Sequence, residues 1–413
     1  MTDLSLSRPL PRAIPGGSLS GRDLRVFLIA AILLLAGAVY LNHLVGWRQA
    51  ALFAVGGGLG ITLYHAAFGF TSSWRVFIAD RKGAGLRAQM VMLALGSLLF
   101  FPALAAGSLF GQPVEGFVSP AGTAVVIGAF LFGVGMQLGG GCASGTLFTV
   151  GGGNTRMVVT LFFFVVGSVI ATAHLPWWFS LPAPPPVSIV DSLGLGPALA
   201  LNLSIFAAIA AGTWWLEKRR HGVAAPIAGE RSQPLWRRLT RGPWPLVWGA
   251  IALALLNFAT LYLAGRPWGV TSAFALWGAK GAQALGVDIL SWPYWSAREA
   301  ALEAGIAHDI TSVMDIGLVL GALAAAGLAG KFAPVWRIPA RSLLAAAVGG
   351  VLLGYGARLA FGCNIGAYFS GIVSGSLHGW LWLVAAFIGN IAGTKLRPLF
   401  GLAVERTPRQ TVC

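Results

Sequence analysis

Two of the three cysteines in this chain of 413 residues lie in two copies of one short pattern. Cys142 and Cys363 hold the same place in copies that start 221 residues apart. A thiol is a soft, polarizable group that contacts sulfur-bearing ligands as an S–H donor or a thiolate. A lone buried cysteine is usually a packing residue, but the repetition indicates a site for a soft, sulfur-containing molecule. The positions shared by the two copies are Gly133, Gly135, Leu138, Gly141, Cys142 and Gly145, and Gly354, Gly356, Leu359, Gly362, Cys363 and Gly366.

A second repeated segment precedes each copy of the cysteine pattern. Residues 68–72 and 268–272 share a Gly-x-Thr-Ser sequence that contains Thr71 and Thr271. The glycine-rich stretch 139–145 is a poor helix interior, because glycine weakens helices. Irregular backbone at membrane depth requires burial in protein or a polar cavity. The sequence therefore predicts short re-entrant half-helices, whose N-termini carry positive partial charge and bind anions.

Three further polar residues interrupt the apolar sequence near these segments. Arg358 precedes Cys363 by five residues, and a charge inside a membrane is a functional hypothesis, with snorkelling to the outer interface as the alternative. His65 is either a buried, hydrogen-bonded histidine or a donor that lines a pore. Asn364 fits a helix cap or a residue that faces the pathway.

The composition requires a membrane to position these residues. Hydrophobic residues make up 56% of the chain and charged residues only 10%, against about 25% charged in globular domains. Long uncharged runs predict an all-α integral membrane protein, because a span needs about 20 apolar residues. The first run is too long for a cleavable signal peptide. The ten predicted spans lie near 26–46, 49–67, 88–109, 119–140, 157–178, 194–216, 244–264, 312–330, 342–362 and 377–396.

The net charge of +15 reflects the loops. Basic residues cluster before the first span, at 75–87, at 217–243 and after the last span, which places these parts and both termini in the cytoplasm. The stretch 285–315, with Asp315, is acidic and is expected outside. This distribution argues against nucleic acid as a partner, and the bilayer is the predicted surroundings.

The predicted topology gives two halves of opposite orientation. Inverted repeats are related by an axis in the membrane plane, and their shared site lies near the midplane. The predicted divisions are a cytoplasmic segment 1–25, an additional span 26–46, a first half with a connecting helix 49–216, a basic linker 217–243, a second half 244–396 and a tail 397–413.

Other chemistry has no sequence support. The chain has no catalytic triad, Walker A loop, dinucleotide fingerprint or haem pattern, and its cysteines form neither a CxxC pair nor a zinc motif. We therefore predict no cofactor, no metal and no enzymatic activity.

The chain resembles the YeeE/YedE family of bacterial sulfur-transport membrane proteins, whose studied members take up thiosulfate. The resemblance covers roughly residues 49–398 and rests on Gly-x-Gly-x-x-Leu-x-x-Gly-Cys-x-x-Gly at 133–145 and 354–366, on the Gly-x-Thr-Ser segments and on the opposed halves. It implies an hourglass-shaped protein in which cysteines pass an anion across a narrow middle. Cys142 and Cys363 match two of these positions.

The family's further cysteine, in the first re-entrant segment, has no equivalent here, and Thr71 or a neighbour lies there instead. The predicted function is an inner-membrane permease for a small sulfur-containing anion, most simply thiosulfate, with a cytoplasmic sulfur-carrier protein as an additional candidate partner. The alternatives are another sulfur or selenium species, an unrelated solute, and a redox or sulfurtransferase protein that uses both cysteines covalently. The predicted substrate-binding residues are Cys142, Cys363, Gly141, Gly362, Thr71, Thr271, Asn364, Arg358 and His65.

Overall fold

The computed structural model describes residues 21–228 and 234–405, which form an all-α membrane protein. Within these residues, ten segments are long and apolar enough to cross a bilayer. The predicted spans are confirmed, with ends shifted by a few residues. Some of the predicted parts lie outside the described residues: residues 1–20 of the N-terminal segment, Glu230 and Arg231 of the linker, and Arg406, Arg409 and Cys413 of the tail.

Short loops and one small hairpin, β1 (Ser108–Leu109) and β2 (Gln112–Pro113), join the helices. Single turns of 3₁₀ helix occupy Ile289–Ser291, Ile306–His308 and Arg397–Phe400, and a π-helical turn, Asn364–Phe369, leads into α17. The helices are α1 (Gly21–Leu44), α2 (Trp47–His65), α3 (Phe70–Asp80), α4 (Ala84–Ala105), α5 (Thr123–Gly139), α6 (Ala143–Gly151), α7 (Thr155–Phe179), α8 (Ile189–Leu193), α9 (Leu195–His221), α10 (Leu235–Arg241), α11 (Leu246–Ala264), α12 (Thr271–Ala284), α13 (Pro293–Ser296), α14 (Glu299–Glu303), α15 (Ile310–Ala329), α16 (Ala340–Leu359), α17 (Ser370–Val373) and α18 (Leu377–Leu396).

Four of these elements are the predicted half-helices. They are α3, α6, α12 and the ten-residue stretch formed by the π-helical turn and α17, and each follows a break after a longer helix. Left-handed backbone produces the breaks: Ala67 has φ of 46°, Gly140 of 95° and Phe361 of 59°. Gly140 adopts positive φ at little cost because it has no side chain, whereas Ala67 and Phe361 are held in a conformation that is uncommon for residues with a side chain.

The helix contacts follow the inverted repeat. Helix α5 packs against α16 at the centre, α5 also packs against α18, and the equivalent α16 packs against α7. In the same way α2 packs against α15 while α11 packs against α4. The half-helices make equivalent contacts as well: α6 packs against α15, and α17 packs against α4.

The repeated glycines of the cysteine pattern allow this close packing. A Cβ placed on Gly133 would lie 2.2 Å from the carbonyl oxygen of Ala386 in α18. A Cβ on the equivalent Gly354 would lie 2.2 Å from the carbonyl oxygen of Phe164 in α7. Small residues let membrane helices approach to backbone contact, so these glycines fix the helices that carry the cysteines.

The outermost helices favour a different division from the predicted one. Helix α1 packs against α15, and α9 packs against α4, which is the repeat equivalent of α15. We therefore propose that α1 and α9 are the first helices of the two repeats, in place of the additional span and connecting helix expected from the sequence.

One acidic residue falls both in the stretch 285–315, expected outside, and in the predicted span 312–330. The structure places Asp315 in α15, where it is fully buried, as the span predicts. The helix continues the apolar run of 316–329 upstream as far as Ile310 because Asp309 caps it, accepting a hydrogen bond from the Ser312 N–H.

Candidate functional site

Cys142 and Cys363 cap the starts of two half-helices. The Cys142 sulfur accepts a hydrogen bond from the backbone N–H of Gly145 at 3.4 Å, and the Cys363 sulfur accepts one from the N–H of Ile365 at 3.4 Å. Their exposures are 1% and 0%, both are free thiols, and both belong to one buried core. The structure thus places two equivalent thiols at equivalent helix starts, which carry positive partial charge.

The glycine before each cysteine has little room. A Cβ on Gly141 would lie 3.0 Å from Met157 Cε and 3.0 Å from the Thr146 nitrogen. Gly362 is more restricted, because its φ is +150° and a Cβ would lie 2.8 Å from the Ala367 nitrogen. Both cysteine turns therefore need a residue without a side chain, and the second needs it most.

The repeated threonines lie near the starts of the other two half-helices. The amide of Gln137 donates to the backbone carbonyl of Thr71 at 3.2 Å, and the guanidinium of Arg358, its repeat equivalent, donates to the Thr271 hydroxyl at 3.2 Å. Equivalent residues of the cysteine-bearing helices thus hold equivalent threonines. Gln137 also donates to Asn390 at 2.6 Å, which fixes its orientation.

A basic cavity of about 280 Å³ opens at one end of the helices. Arg266, Arg298 and Arg358 line it together with Gly362 and Gly366 of the second cysteine pattern. Half-buried Arg358 also donates to the Tyr294 hydroxyl at 3.3 Å, so the structure places it in the cavity wall. Three arginines in one wall make this cavity attractive to anions.

A second cavity, of about 460 Å³, lies at the opposite end. The first residues of α7, including Arg156, line this one, whereas Leu175 near the end of α7 lines the arginine cavity. Helix α6 contributes Phe148 to the wall, and Arg337 adds a further cation. Neither cavity is lined by Cys142 or Cys363, which lie buried between basic openings at the two ends.

Several buried polar atoms near the cysteines have no hydrogen-bond partner in the described chain. They include both amide atoms of Asn364, the Tyr368 hydroxyl and the Thr71 hydroxyl. Asn364 is therefore not the helix cap that the sequence allowed, since Cys363 occupies that position. Tyr368 stacks on Trp382 at 6.1 Å between ring centroids. Buried polar groups are normally paired, so these atoms favour a polar ligand in this region.

His65 is buried at the end of α2 and packs against Trp244, with 5.5 Å between ring centroids. Its neighbour Tyr64 lines the larger cavity, but His65 lines neither of the two.

Comparison with known proteins identifies the family. A family model described as sulphur transport matches residues 65–392. The chain belongs to this family. The sequence is 34% identical over 166 residues to a protein named probable transporter YedE in Escherichia coli, a match that covers 39% of this chain and only 40% of that protein's length. A thiosulfate transporter, TsuA, from Spirochaeta thermophila is 29% identical over 350 residues, covering 81% of this chain and 95% of TsuA. The Escherichia coli protein of the same name is 26% identical over 359 residues, covering 80% and 89%.

Sequence reasoning missed several residues of this family member's candidate site. Arg266 lies two residues before the repeated 268–272 segment, and this proximity could have pointed to it. Arg298 lies on the loop between the half-helix α12 and α15, and only the folded chain brings it to the cavity. Among the described residues no group of three or more His, Cys, Asp or Glu side chains is placed to hold a metal ion.

Proposed function

We propose that this protein is a permease of the bacterial inner membrane that takes up a small sulfur-containing anion, with thiosulfate as the first candidate. The observation that carries the proposal is the pair of equivalent buried thiols at half-helix starts, between two basic cavities. The relatives named as thiosulfate transporters support it over most of the chain.

The arginine cavity collects the anion. Arg266, Arg298 and Arg358 raise its local concentration. Arg358 also donates a hydrogen bond to Thr271, which lines the same cavity at the start of α12. The cavity reaches Gly362, directly before Cys363. The anion therefore meets the thiol after it has lost most of its water, where each remaining hydrogen bond is stronger.

The central passage is short and polar at a few points. Cys363 and Cys142 offer S–H donors to the terminal sulfur of the substrate, and the unpaired amide of Asn364 and hydroxyl of Tyr368 supply further donors. The positive ends of the half-helices offset the anionic charge. Beyond Cys142, Arg156 of the second cavity receives the anion on the side we assign to the cytoplasm.

Uptake of a dianion is opposed by the membrane potential. Moving two negative charges against 100 mV costs roughly 4.6 kcal/mol. Accumulation therefore needs a coupled ion or removal of the anion inside. A cytoplasmic sulfur-carrier protein docked beside the second cavity would provide such removal.

Uptake into proteoliposomes tests the function. Vesicles with the purified protein should take up ³⁵S-labelled thiosulfate, and unlabelled thiosulfate should compete better than sulfate, because sulfate lacks the soft terminal sulfur. Selenate, selenite and sulfite as competitors distinguish the other substrates. Equal competition by sulfate would argue against a thiol contact, and a stable Cys–S–S adduct in intact-mass spectrometry would favour the covalent enzyme instead.

A further inference from the structure

Asp315 is a buried acid that the path described above does not use. It is 0% exposed, and neither carboxyl oxygen has a hydrogen-bond partner in the described chain. The other buried acids differ. Glu217 lies 2.7 Å from Arg87, for example, and Asp80 lies 3.2 Å from Lys82. A side chain this costly to bury unpaired is a functional hypothesis when it lies inside a membrane.

Asp315 lies on the side of α15 that faces the half-helices. One turn earlier, Thr311 bonds to Ser272 at the start of α12, with 3.1 Å between hydroxyl oxygens. One turn later, the carbonyl oxygen of Val319 would lie 2.4 Å from a Cβ on Gly151, at the end of α6. Asp315 is also within electrostatic range of Cys363. The acid thus lies between two half-helices and near the thiol site.

Few charged groups surround this acid. Two groups interact with it electrostatically: Asp309 at the start of α15, and Cys363 at the break before α17. Arg266 is held by the Thr311 hydroxyl at 3.3 Å, and Lys280 of α12 donates to the carbonyls of Leu302 and Ala304. Helix α6 has only Cys142 at its start, His308 lies in the turn before α15, and α1, α2 and α10 carry their titratable groups near their ends.

The surroundings of the Asp315 carboxyl group favour binding of a proton over binding of a metal cation. Hard cations need several oxygen ligands, and no cluster of acidic side chains surrounds Asp315 in the described residues. A carboxyl without a counter-charge avoids the burial cost by holding a proton while it is enclosed. It loses this proton when the path opens and water reaches it.

We propose that Asp315 is the proton-coupling residue of this transporter. The carboxylate takes a proton from the outer side as the anion occupies the arginine cavity. The O–H bond breaks when the path opens inward, and the proton passes to cytoplasmic water. No electron moves, and one proton accompanies each anion. This inference rests on the proposed function, because it assumes that the protein carries an anion.

Two measurements on proteoliposomes separate coupling from transport. The first is accumulation of ³⁵S-thiosulfate, with acidification of the lumen, under an acid-outside pH gradient. The second is exchange of external labelled for internal unlabelled thiosulfate at equal pH, which needs no driving force. A gradient of one pH unit should raise wild-type accumulation up to about tenfold.

Asp315→Asn should lose the response to the gradient and the lumen acidification but keep exchange within about twofold of wild type. Asp315→Glu should keep a response, and Asp288→Asn, on the loop that follows α12, is the matched control. Retained exchange also reports that the variant is folded.

An unchanged gradient response in Asp315→Asn, or wild-type accumulation that follows a sodium gradient, would overturn the coupling role. Loss of exchange in Asp315→Asn would also overturn it, because the residue would then serve binding or folding. If the wild-type protein exchanges no thiosulfate, the proposed function fails and this inference fails with it. If wild-type exchange is normal, only the coupling role is in question.

Discussion

Replacing Gly362 by alanine should lower uptake and thermal stability more than the same change at Gly366, the glycine of the second cysteine pattern that has open space around it. Gly362 has φ of +150°, and an added Cβ would lie 2.8 Å from the Ala367 nitrogen, inside van der Waals contact. Forcing a residue with a side chain into this backbone region costs about 1–3 kcal/mol. The strain falls on the turn that sets the Cys363 sulfur, and a barrier raised by about 1.4 kcal/mol slows uptake tenfold.

The assay compares three alanine variants at matched expression. Gly366→Ala is the control, because the nearest atom to its added Cβ is Cα of Gly269 at 4.0 Å. Gly141→Ala should fall between the two, since one of its contacts is the flexible end of Met157. Uptake and thermal unfolding in detergent should both rank Gly362 as most sensitive, then Gly141, then Gly366. Equal behaviour of Gly362→Ala and Gly366→Ala would refute the argument from backbone geometry.

Further predictions concern the cavity, the tail and the topology. Arg358→Gln should raise the KM for thiosulfate by about tenfold to a hundredfold, because one hydrogen bond to a charged group is lost. Arg358→Lys should restore part of the affinity. An unchanged KM in Arg358→Gln would show that Arg358 does not bind the anion. The hydrogen-bonded ion pair with Arg75 lowers the pKa of Glu405 to about 2. Its stabilising effect is therefore present above the ordinary glutamate pKa of about 4.3 and is lost as the pH falls toward 2. Glu405→Gln should have a lower thermal stability than wild type at neutral pH, and the two proteins should become more alike in acid. A difference in stability that does not depend on pH would contradict this. Reporter fusions should place residue 230 in the cytoplasm and residue 300 outside, and a cytoplasmic residue 300 would exclude the proposed orientation.

The sequence was sufficient for the helices and the breaks, because both depend on local composition. Apolar runs fix the spans, and the paired glycine patterns fix where α5 and α16 end. The proposed equivalence of α1 and α9 could not be predicted, because it depends on which helices they pack against rather than on any shared motif. Asp315 lies in both the predicted span 312–330 and the acidic stretch 285–315, and local composition does not separate these two placements; Asp309, which caps the helix upstream, places it inside α15.

The cysteines could be found from their repetition, but their surroundings could not. Arg358 bonds to Tyr294 and Thr271, which lie 64 and 87 residues away in the sequence. The arginine cavity forms only when the loop after α12 folds back over the second cysteine pattern. Such long-range contacts leave no periodic signal in one sequence. The substrate-binding roles of all nine predicted residues stay predictions.

Uptake by the single cysteine variants tests the central claim most directly. Cys142→Ser and Cys363→Ser retain approximate volume and hydrogen bonding but replace a soft thiol by a strongly hydrated hydroxyl. Cys413→Ser, outside the repeated pattern, is the control. A favourable contact with a charged ligand is worth about 1.5–3 kcal/mol, and the hydroxyl loses the thiol's contact with the soft sulfur. Each buried variant should therefore lower thiosulfate uptake about tenfold to a hundredfold and impair growth on thiosulfate but not on cysteine. Normal uptake by both buried variants at matched expression would contradict the account and make the repeated cysteines packing residues.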